Sequence, residues 1–327
     1  MADATRPPDG TWSPAAAGRR AWNHRGVRHR YECPLRWADL DVLGHVNNVR
    51  YVDYLQEARS ALLRSCLHAA GVERQEGVGY VVVRHEVAFL APLLFRSTSV
   101  LIDSWVTEIR GASFTLGHEI FHEAEDGSRV VYLRAQTVLA PFSLESGLPR
   151  RMDDAARAAL APFAEEGERS LPLRVDVPRD GAAHYPVTVR FSDLDIYRHV
   201  NNVVYFEYFQ EARIALFGKL REALREFPRI NVVVAQTDLE YVAPITARAE
   251  PYDCWSVVTR MGNKSMVIES EIVDASGATP RGGVLAKSRV VLVFFDATTQ
   301  QSVTPPPGYR EAIVAALGGP LAGVAPA

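Results

Sequence analysis

Ten residues that could carry out acyl chemistry occur twice in the chain. The segment DLDVLGHVNN runs from Asp39 to Asn48, and DLDIYRHVNN runs from Asp193 to Asn202. Each copy places two carboxylates, an imidazole and two amides just before a predicted helix. Helix N-termini present unpaired backbone N–H groups and a partial positive charge, which can hold a developing oxyanion. A carboxylate beside them can attack a carbonyl carbon or activate water. The pattern therefore indicates an acyl-transfer site.

A structural explanation competes with this interpretation for each residue taken singly. Asp and Asn favour helix caps and turns, and a loop histidine can simply bond a backbone carbonyl. The set of five is harder to explain by structure alone, because both copies keep it while the flanking residues differ. We therefore favour function for the set.

The repeated loop belongs to a duplicated domain. Arg36–Arg59 aligns with Arg190–Arg213 at a constant offset of 154, and nine of the 24 positions differ, which leaves 15 identical. The similarity continues more weakly through the following strands, including an Ala-Pro pair at Ala91-Pro92 and Ala243-Pro244. Two copies with so long a period indicate tandem domains rather than a solenoid.

Each copy predicts the same α+β architecture. A short strand precedes the loop, a helix with apolar residues at i, i+3, i+4 and i+7 follows it, and four β-branched and aromatic segments come next. An Ala-rich helix closes each copy. The predicted divisions are a disordered leader at 1–27, domain one at 28–165, a linker at 166–183, domain two at 184–319 and a flexible tail at 320–327.

Composition narrows the function classes. A net charge of −3, from 36 basic and 39 acidic residues, argues against a nucleic-acid surface. No apolar run approaches the length of a membrane span. Three scattered cysteines suggest neither disulfides nor a zinc knuckle and favour the cytoplasm. We expect no metal and no cofactor.

One catalytic motif is present but misleading. HEIFH, from His118 to His122, matches the H-E-x-x-H zinc signature, which requires a helix. The alternating apolar residues around it predict a strand, on which the two histidines would lie about 13 Å apart, too far for one zinc ion. We therefore expect ordinary strand residues here.

The loop together with Y-x-Q-E-A-R resembles the hotdog-fold acyl-CoA thioesterases of the 4-hydroxybenzoyl-CoA thioesterase type, and also the plant acyl-carrier-protein thioesterases, across both repeats. The resemblance implies two tandem hotdog domains, each a long helix wrapped by an antiparallel sheet, paired within the chain as a pseudo-dimer. It implies hydrolysis of an acyl-CoA or acyl-carrier-protein thioester, in fatty acid metabolism. The chain could also form a homo-oligomer.

The resemblance assigns roles to particular residues. The second Asp of each loop, Asp41 or Asp195, would be the nucleophile or general base. The backbone N–H groups near Val46–Asn48 and Val200–Asn202 would polarise the carbonyl. The first copy has Gly44 before its histidine, where the second has Arg198. Candidate catalytic residues are Asp41, Asp195, His45, His199, Asn47 and Asn201, with Val46, Asn48, Val200 and Asn202 in the oxyanion loop.

Hotdog sites form between paired units, so strand residues of the other copy should complete each one. Because His85 is matched by Thr237, the two sites are not expected to be equivalent. The helical spacing of the tyrosines predicts that they pack in the core rather than bind a ligand. Further candidates for substrate binding are Tyr51, Tyr205, Arg84, His85, Gln236, Thr237, Arg110, Ser113, Arg260, Lys264 and Ser265.

Two other hypotheses stay open. A hotdog hydratase or dehydratase would usually show a Pro-Gly turn near the helix, which is not seen here. A non-catalytic acyl-CoA-binding protein would have no need of a carboxylate in each loop, yet both Asp41 and Asp195 are present.

Overall fold

A computed structural model describes residues 27–69, 77–96, 98–167, 169–276, 283–296, 298–299 and 301–317. The predicted leader, apart from its last residue, and the predicted tail at 320–327 lie outside these ranges.

Domain one contains one long helix, five strands and a short closing helix. The closing helix begins at the N-cap Asp153, whose carboxylate accepts the N–H of Ala156 at 2.7 Å. The elements are β1 His29–Cys33, α1 Arg50–Ala69, β2 Val78–Phe89, β3 Val100–Ile109, β4 Phe114–Glu123, β5 Arg129–Ser143 and α2 Asp154–Leu160.

Domain two repeats this order and adds a two-residue strand. The predicted α+β architecture is therefore confirmed for both copies. The elements are β6 Ala183–Val187, α3 Val204–Leu220, β7 Asn231–Tyr241, β8 Tyr252–Met261, β9 Ser265–Val273, β10 Val284–Asp296, β11 Gln301–Ser302 and α4 Tyr309–Ala316.

The two domains share one continuous antiparallel sheet. Its strand order is β1-β3-β4-β5-β2-β7-β10-β9-β8-β6, so the β2–β7 ladder is the join. In that ladder Arg84 faces Glu240, His85 faces Leu239 and Glu86 faces Asp238. The predicted intrachain pseudo-dimer is confirmed.

Helix α1 packs on the inner face of this sheet. Tyr51, Leu55, Ala58 and Leu62 are all at most 3% exposed, as the helical spacing predicts. Full burial of each such leucine stabilises the fold by about 1.5–3 kcal/mol. Directly paired strand residues share a face, and His85 pairs with Thr137. The His85 ring also contacts Phe206 of helix α3, so this is the inner face.

The opposite, outer face of the sheet is covered by the segment that joins the domains. The side chain of Glu240 accepts the N–H of Leu173 at 2.8 Å, and Lys287 donates to the carbonyl of Val175 at 2.7 Å. Leu173, Val175 and Val177 form a small apolar cluster there. This segment is thus packed along the sheet rather than looped free of it.

The HEIFH motif lies on strand β4, as the alternation predicts. His118 is buried beside Ser104, whereas His122 contacts the hydroxyl of Tyr132 at 3.0 Å. Within the described ranges, no three His, Cys, Asp or Glu side chains are grouped as metal ligands. No helix in the same ranges combines the length and apolar character that crossing a bilayer requires.

Candidate active site

The first carboxylate of each loop is a structural group. Asp39 and Asp193 are each 7% exposed. Asp39 accepts the hydroxyl of Tyr54 at 2.7 Å, and Asp193 accepts the hydroxyl of Tyr208 at 2.6 Å. Burial, together with these bonds, raises the pKa of both tyrosines well above the ordinary value. The first Asp therefore ties the loop to its helix.

The second carboxylate, by contrast, keeps one oxygen free. Asp41 and Asp195 are half-buried, and in each the Oδ1 atom accepts two N–H groups of its own loop. No donor among the described residues is assigned to either Oδ2 atom. Each carboxylate is therefore oriented and still able to react. The donors are Leu43 N (2.8 Å) and His45 N (3.1 Å) for Asp41, and Tyr197 N (2.8 Å) and His199 N (3.3 Å) for Asp195.

The two loop histidines are partly exposed, and their backbones join the loop to the next structural segment. His45 pairs with Leu94, and His199 pairs with Thr246, as isolated antiparallel bridges. Neither imidazole has a hydrogen-bond partner in the described part of the chain. The predicted catalytic role of the two histidines therefore stays a prediction.

The first asparagine of each pair forms a side-chain turn directly before its helix. Asn47 Oδ1 accepts the N–H of Val49 at 2.9 Å, and Asn201 Oδ1 accepts the N–H of Val203 at 3.0 Å. This is the local side-chain bond that favours Asn just before a helix.

The hydrogen bonds of the loop reduce the number of backbone N–H groups that could donate to an oxyanion. Val46 N–H donates to Leu93 O, and Val200 N–H to Ile245 O, both at 2.8 Å. The N–H groups of the first asparagines are also engaged, with Asp39 O and Asp193 O. The expectation for Val46 and Val200 is therefore corrected, because their donors are already used. Among the described residues no acceptor is assigned to the N–H of Asn48 or Asn202.

The second loop is tied to domain one by a chain of side-chain hydrogen bonds. His85 Nε2 lies 3.3 Å from Asn202 Oδ1, and Thr137 Oγ1 lies 3.1 Å from His85 Nδ1. Asn202 Nδ2 donates to Gln56 Oε1 at 3.1 Å. Burial, with a smaller contribution from Arg59, lowers the pKa of His85 to about 3, so this ring is neutral at pH 7. We name this arrangement, Asp195 and Asn202 with His85 and Gln56, the loop-two site.

The corresponding loop-one site, Asp41 and Asn48 with Thr237 in the position equivalent to His85, has no such chain. Thr237 Oγ1 is buried without a partner. Within the described residues, no side-chain hydrogen bond joins Asn48 to domain two. The inequivalence predicted from His85 and Thr237 is therefore present in the structure.

Four other predicted binding residues lie away from the loops' free groups. Arg84 pairs with Glu240 at 3.0 Å, and Gln236 donates to Asp238; both lie on the outer face. Tyr51 and Tyr205 are buried, and each hydroxyl accepts a backbone N–H, from Leu93 at 3.1 Å and Ile245 at 3.0 Å. The core role of the tyrosines is confirmed.

The remaining candidates occupy two hairpins. In the first, Arg110 pairs with Glu108 at 2.8 Å, and its backbone N–H donates to Ser113 O. This hairpin lies at the end of domain one where Phe142 contacts Tyr197 of the second loop, with ring centroids 5.2 Å apart. In the second, Arg260 and Lys264 are exposed, Ser265 is half-buried, and Lys264 Nζ donates to Ser302 O at 3.0 Å.

Sequence reasoning missed Gln56, Thr137 and Arg59. The signal for two of them was available, because Gln-Glu-Ala-Arg is identical in both copies, at Gln56–Arg59 and Gln210–Arg213. That segment contributes to the family resemblance, but neither Gln56 nor Arg59 was predicted to belong to the site.

Both repeats of the chain match a known protein family. Residues 35–160 and 189–313 each match the family model described as the thioesterase-like superfamily. A curated relative from Bacillus subtilis, the uncharacterized protein YsmA, is 41% identical over 59 residues, a match that spans 40% of that protein and 18% of this chain.

Solved structures resemble the whole two-domain arrangement. A putative oleoyl thioesterase from Lactobacillus plantarum superposes with a TM-score of 0.65 at 14% identity, covering 83% of this chain and 98% of that one. The 12:0-ACP thioesterase from Umbellularia californica gives 0.63 at 15% identity, covering 82% and 94%. At these identities the similarity shows the tandem hotdog fold.

Proposed function

Because the chain belongs to the thioesterase-like superfamily, we propose that it hydrolyses the thioester bond of an acyl-CoA or acyl-carrier-protein to a free acid and a thiol. The observation that carries this is the second carboxylate of each loop, oriented through one oxygen and free at the other. The Umbellularia relative is described as acting on an acyl-carrier-protein, which supports the substrate class.

The proposed reaction uses few groups. Asp195 takes a proton from water, and the hydroxide adds to the thioester carbonyl carbon. The N–H of Asn202 donates to the resulting oxyanion, the carbon–sulfur bond breaks, and the proton passes to the departing sulfur. Direct attack by Asp195 gives the same products through an anhydride that water then cleaves. Asp41 and Asn48 would act likewise in the loop-one site.

We infer that the loop-two site carries the larger share of turnover. Its Asn202 side chain is held by His85 and Gln56, whereas Asn48 lacks both contacts among the described residues. Donors that are held before the reaction stabilise a transition state better than donors that must be ordered during it. The three cysteines are free and buried, in keeping with the cytoplasmic location that we also propose.

The test is thiol release from a series of acyl-CoAs by the wild type, Asp195→Asn, Asp41→Asn and the double variant. We expect the double variant to lose about 10²- to 10⁴-fold in kcat, the magnitude typical of removing a general base, whereas Asp195→Asn alone should lose most of the activity and keep the smaller share carried by the loop-one site. Asp41→Asn should retain most of the activity, and the double variant should lose it. Unchanged hydrolysis by the double variant, or tight acyl-CoA binding without thiol release by the wild type, would overturn the proposal.

A further inference from the structure

A buried cation lies inside domain one without a carboxylate partner. Arg59, on helix α1, is 8% exposed, and its Nη1 atom has no hydrogen-bond partner. In the described part of the chain no Asp or Glu forms an ion pair with it. Burial lowers the pKa of Arg59 to about 10. An uncompensated buried guanidinium is costly, so its position calls for an explanation.

A second unpaired polar atom lies near this guanidinium. His118 is 1% exposed; its Nδ1 lies 2.8 Å from Ser104 Oγ, and its Nε2 has no partner. The charge of Arg59 reaches both His118 and His85, because it lowers the pKa of each beyond the effect of burial. Both rings lie on the inner face of the sheet, which helix α1 covers. We name Arg59, His118 and His85 the polar cluster.

The polar cluster adjoins the loop-two site. His85 itself contacts Asn202, and so does Gln56. Residues three apart on a helix share a face. Arg59 is therefore one turn beyond Gln56, roughly 4.5 Å further along the axis at 1.5 Å per residue. An acyl chain that extends from the N–H of Asn202 along this face of helix α1 would pass Gln56 and then Arg59.

We propose that the loop-two site selects acyl groups that end in a carboxylate, with Arg59 pairing with that carboxylate and His118 supplying a further polar contact. This deepens the proposed function and rests on it. A guanidinium favours a carboxylate through paired, charge-assisted hydrogen bonds. A plain alkyl chain would leave the guanidinium and the imidazole nitrogen unsatisfied.

Domain two offers a matched control. Arg213 occupies the position of Arg59 in the repeat, and burial lowers its pKa to about 10 as well. The residue that matches His118 is Ser270, whose hydroxyl is already bonded to Ser256 at 2.7 Å. The histidines of the polar cluster thus occur in domain one only.

The experiment compares kcat/KM for glutaryl-CoA and hexanoyl-CoA, whose acyl groups are similar in length but end in a carboxylate or a methyl group. Rates are corrected for the enzyme-free reaction. We expect the wild type to prefer glutaryl-CoA by at least about tenfold. Arg59→Met should lower kcat/KM for glutaryl-CoA by about 10- to 100-fold and reverse the preference, as expected for losing charge-assisted hydrogen bonds. Arg213→Met should keep the wild-type preference.

A wild type that hydrolyses hexanoyl-CoA as well as glutaryl-CoA would overturn the inference and leave the proposed function standing. So would an Arg59→Met variant with an unchanged preference. Absence of thiol release from every acyl-CoA tried would overturn the proposed function, and the inference with it. If Arg59→Met does not fold, Arg59→Lys is used instead, because it keeps the charge but loses the paired hydrogen-bond geometry. A partial loss of the preference for glutaryl-CoA in this variant would support the inference. An unchanged preference would refute it.

Discussion

The two copies of the loop share an internal hydrogen-bond pattern but meet different neighbours. In both, the first Asp accepts a tyrosine hydroxyl, the second Asp accepts two loop N–H groups, and the first Asn accepts an N–H just before the helix. The difference begins where each loop meets the other domain. Asn202 is bonded to His85 and Gln56, whereas Thr237, which occupies the position equivalent to His85, keeps a buried hydroxyl without a partner among the described residues.

This comparison separates what builds a loop from what completes a site. The bonds within each loop maintain its shape, so both copies retain them. The contact across the β2–β7 join sets how firmly the loop is held, and there the copies have diverged. Within the loop three residues differ, and at one of these positions the backbone is left-handed in both copies, with a φ of 76° at Gly44 and 63° at Arg198.

The largest expected difference between the domains is in acid stability. Burial lowers the pKa of His85 and His118 to about 3, against about 6.5 when unfolded. Below pH 6.5 the unfolded chain therefore binds protons that the folded chain does not, and stability is lost as pH falls from about 6.5 toward 3. Between pH 7 and pH 5 the loss should be on the order of 2 kcal/mol for each histidine. Urea unfolding at the two pH values measures it.

The control for acid stability uses the residues of the other copy. His118→Ser and His85→Thr give domain one the side chains found at Ser270 and Thr237. Each variant should unfold with a weaker pH dependence than the wild type over this range. A pH dependence as steep as that of the wild type in both variants would show that other groups cause it.

A smaller effect, equal in both copies, should come from the tyrosine–Asp bonds. Tyr54→Phe and Tyr208→Phe each remove a buried hydroxyl that donates to a carboxylate, at 2.7 and 2.6 Å. We expect each to lower the free energy of unfolding by about 1.5–3 kcal/mol. Denaturant unfolding of the two variants side by side tests the shared scaffold. A clear difference between the two would mean that the loops are not built alike.

The smallest effect should come from the left-handed position. Arg198→Gly removes the steric strain of a side chain at positive φ, about 1–2 kcal/mol, but adds freedom to the unfolded chain. A net gain of roughly 0.5–1 kcal/mol is expected. The converse change, Gly44→Arg, should destabilise by a similar amount. Melting temperatures of both variants measure this pair, and a loss of stability in Arg198→Gly would refute the strain.

Sequence patterns predicted the larger features of the molecule. The repeat predicted two α+β domains, apolar alternation placed HEIFH on a strand, and the hotdog resemblance predicted a joined pseudo-dimer. These follow from local periodicity and from identity between the copies.

The details of the site depend on the register between strands, that is, on which residues pair across the ladder. The sequence alone does not specify this pairing. Val46 and Val200 were expected to polarise a carbonyl, yet their N–H groups bond Leu93 O and Ile245 O. Which side chain meets Asn202 depends on how β2 aligns with β7, and that alignment is set by packing across the whole sheet. Arg84 and Gln236, adjacent to His85 and Thr237 in sequence, lie on the opposite face because successive strand residues alternate between the two faces.

The most direct test of the claim that this contact distinguishes the two sites is kcat/KM for the loop-two site alone. In an Asp41→Asn background, His85→Thr removes the imidazole that holds Asn202 and installs the residue of the other copy. We predict a fall of roughly 10- to 100-fold, as expected when a catalytic donor is misplaced, while Thr237→Ser in the same background changes little. An unchanged kcat/KM in His85→Thr would contradict the account.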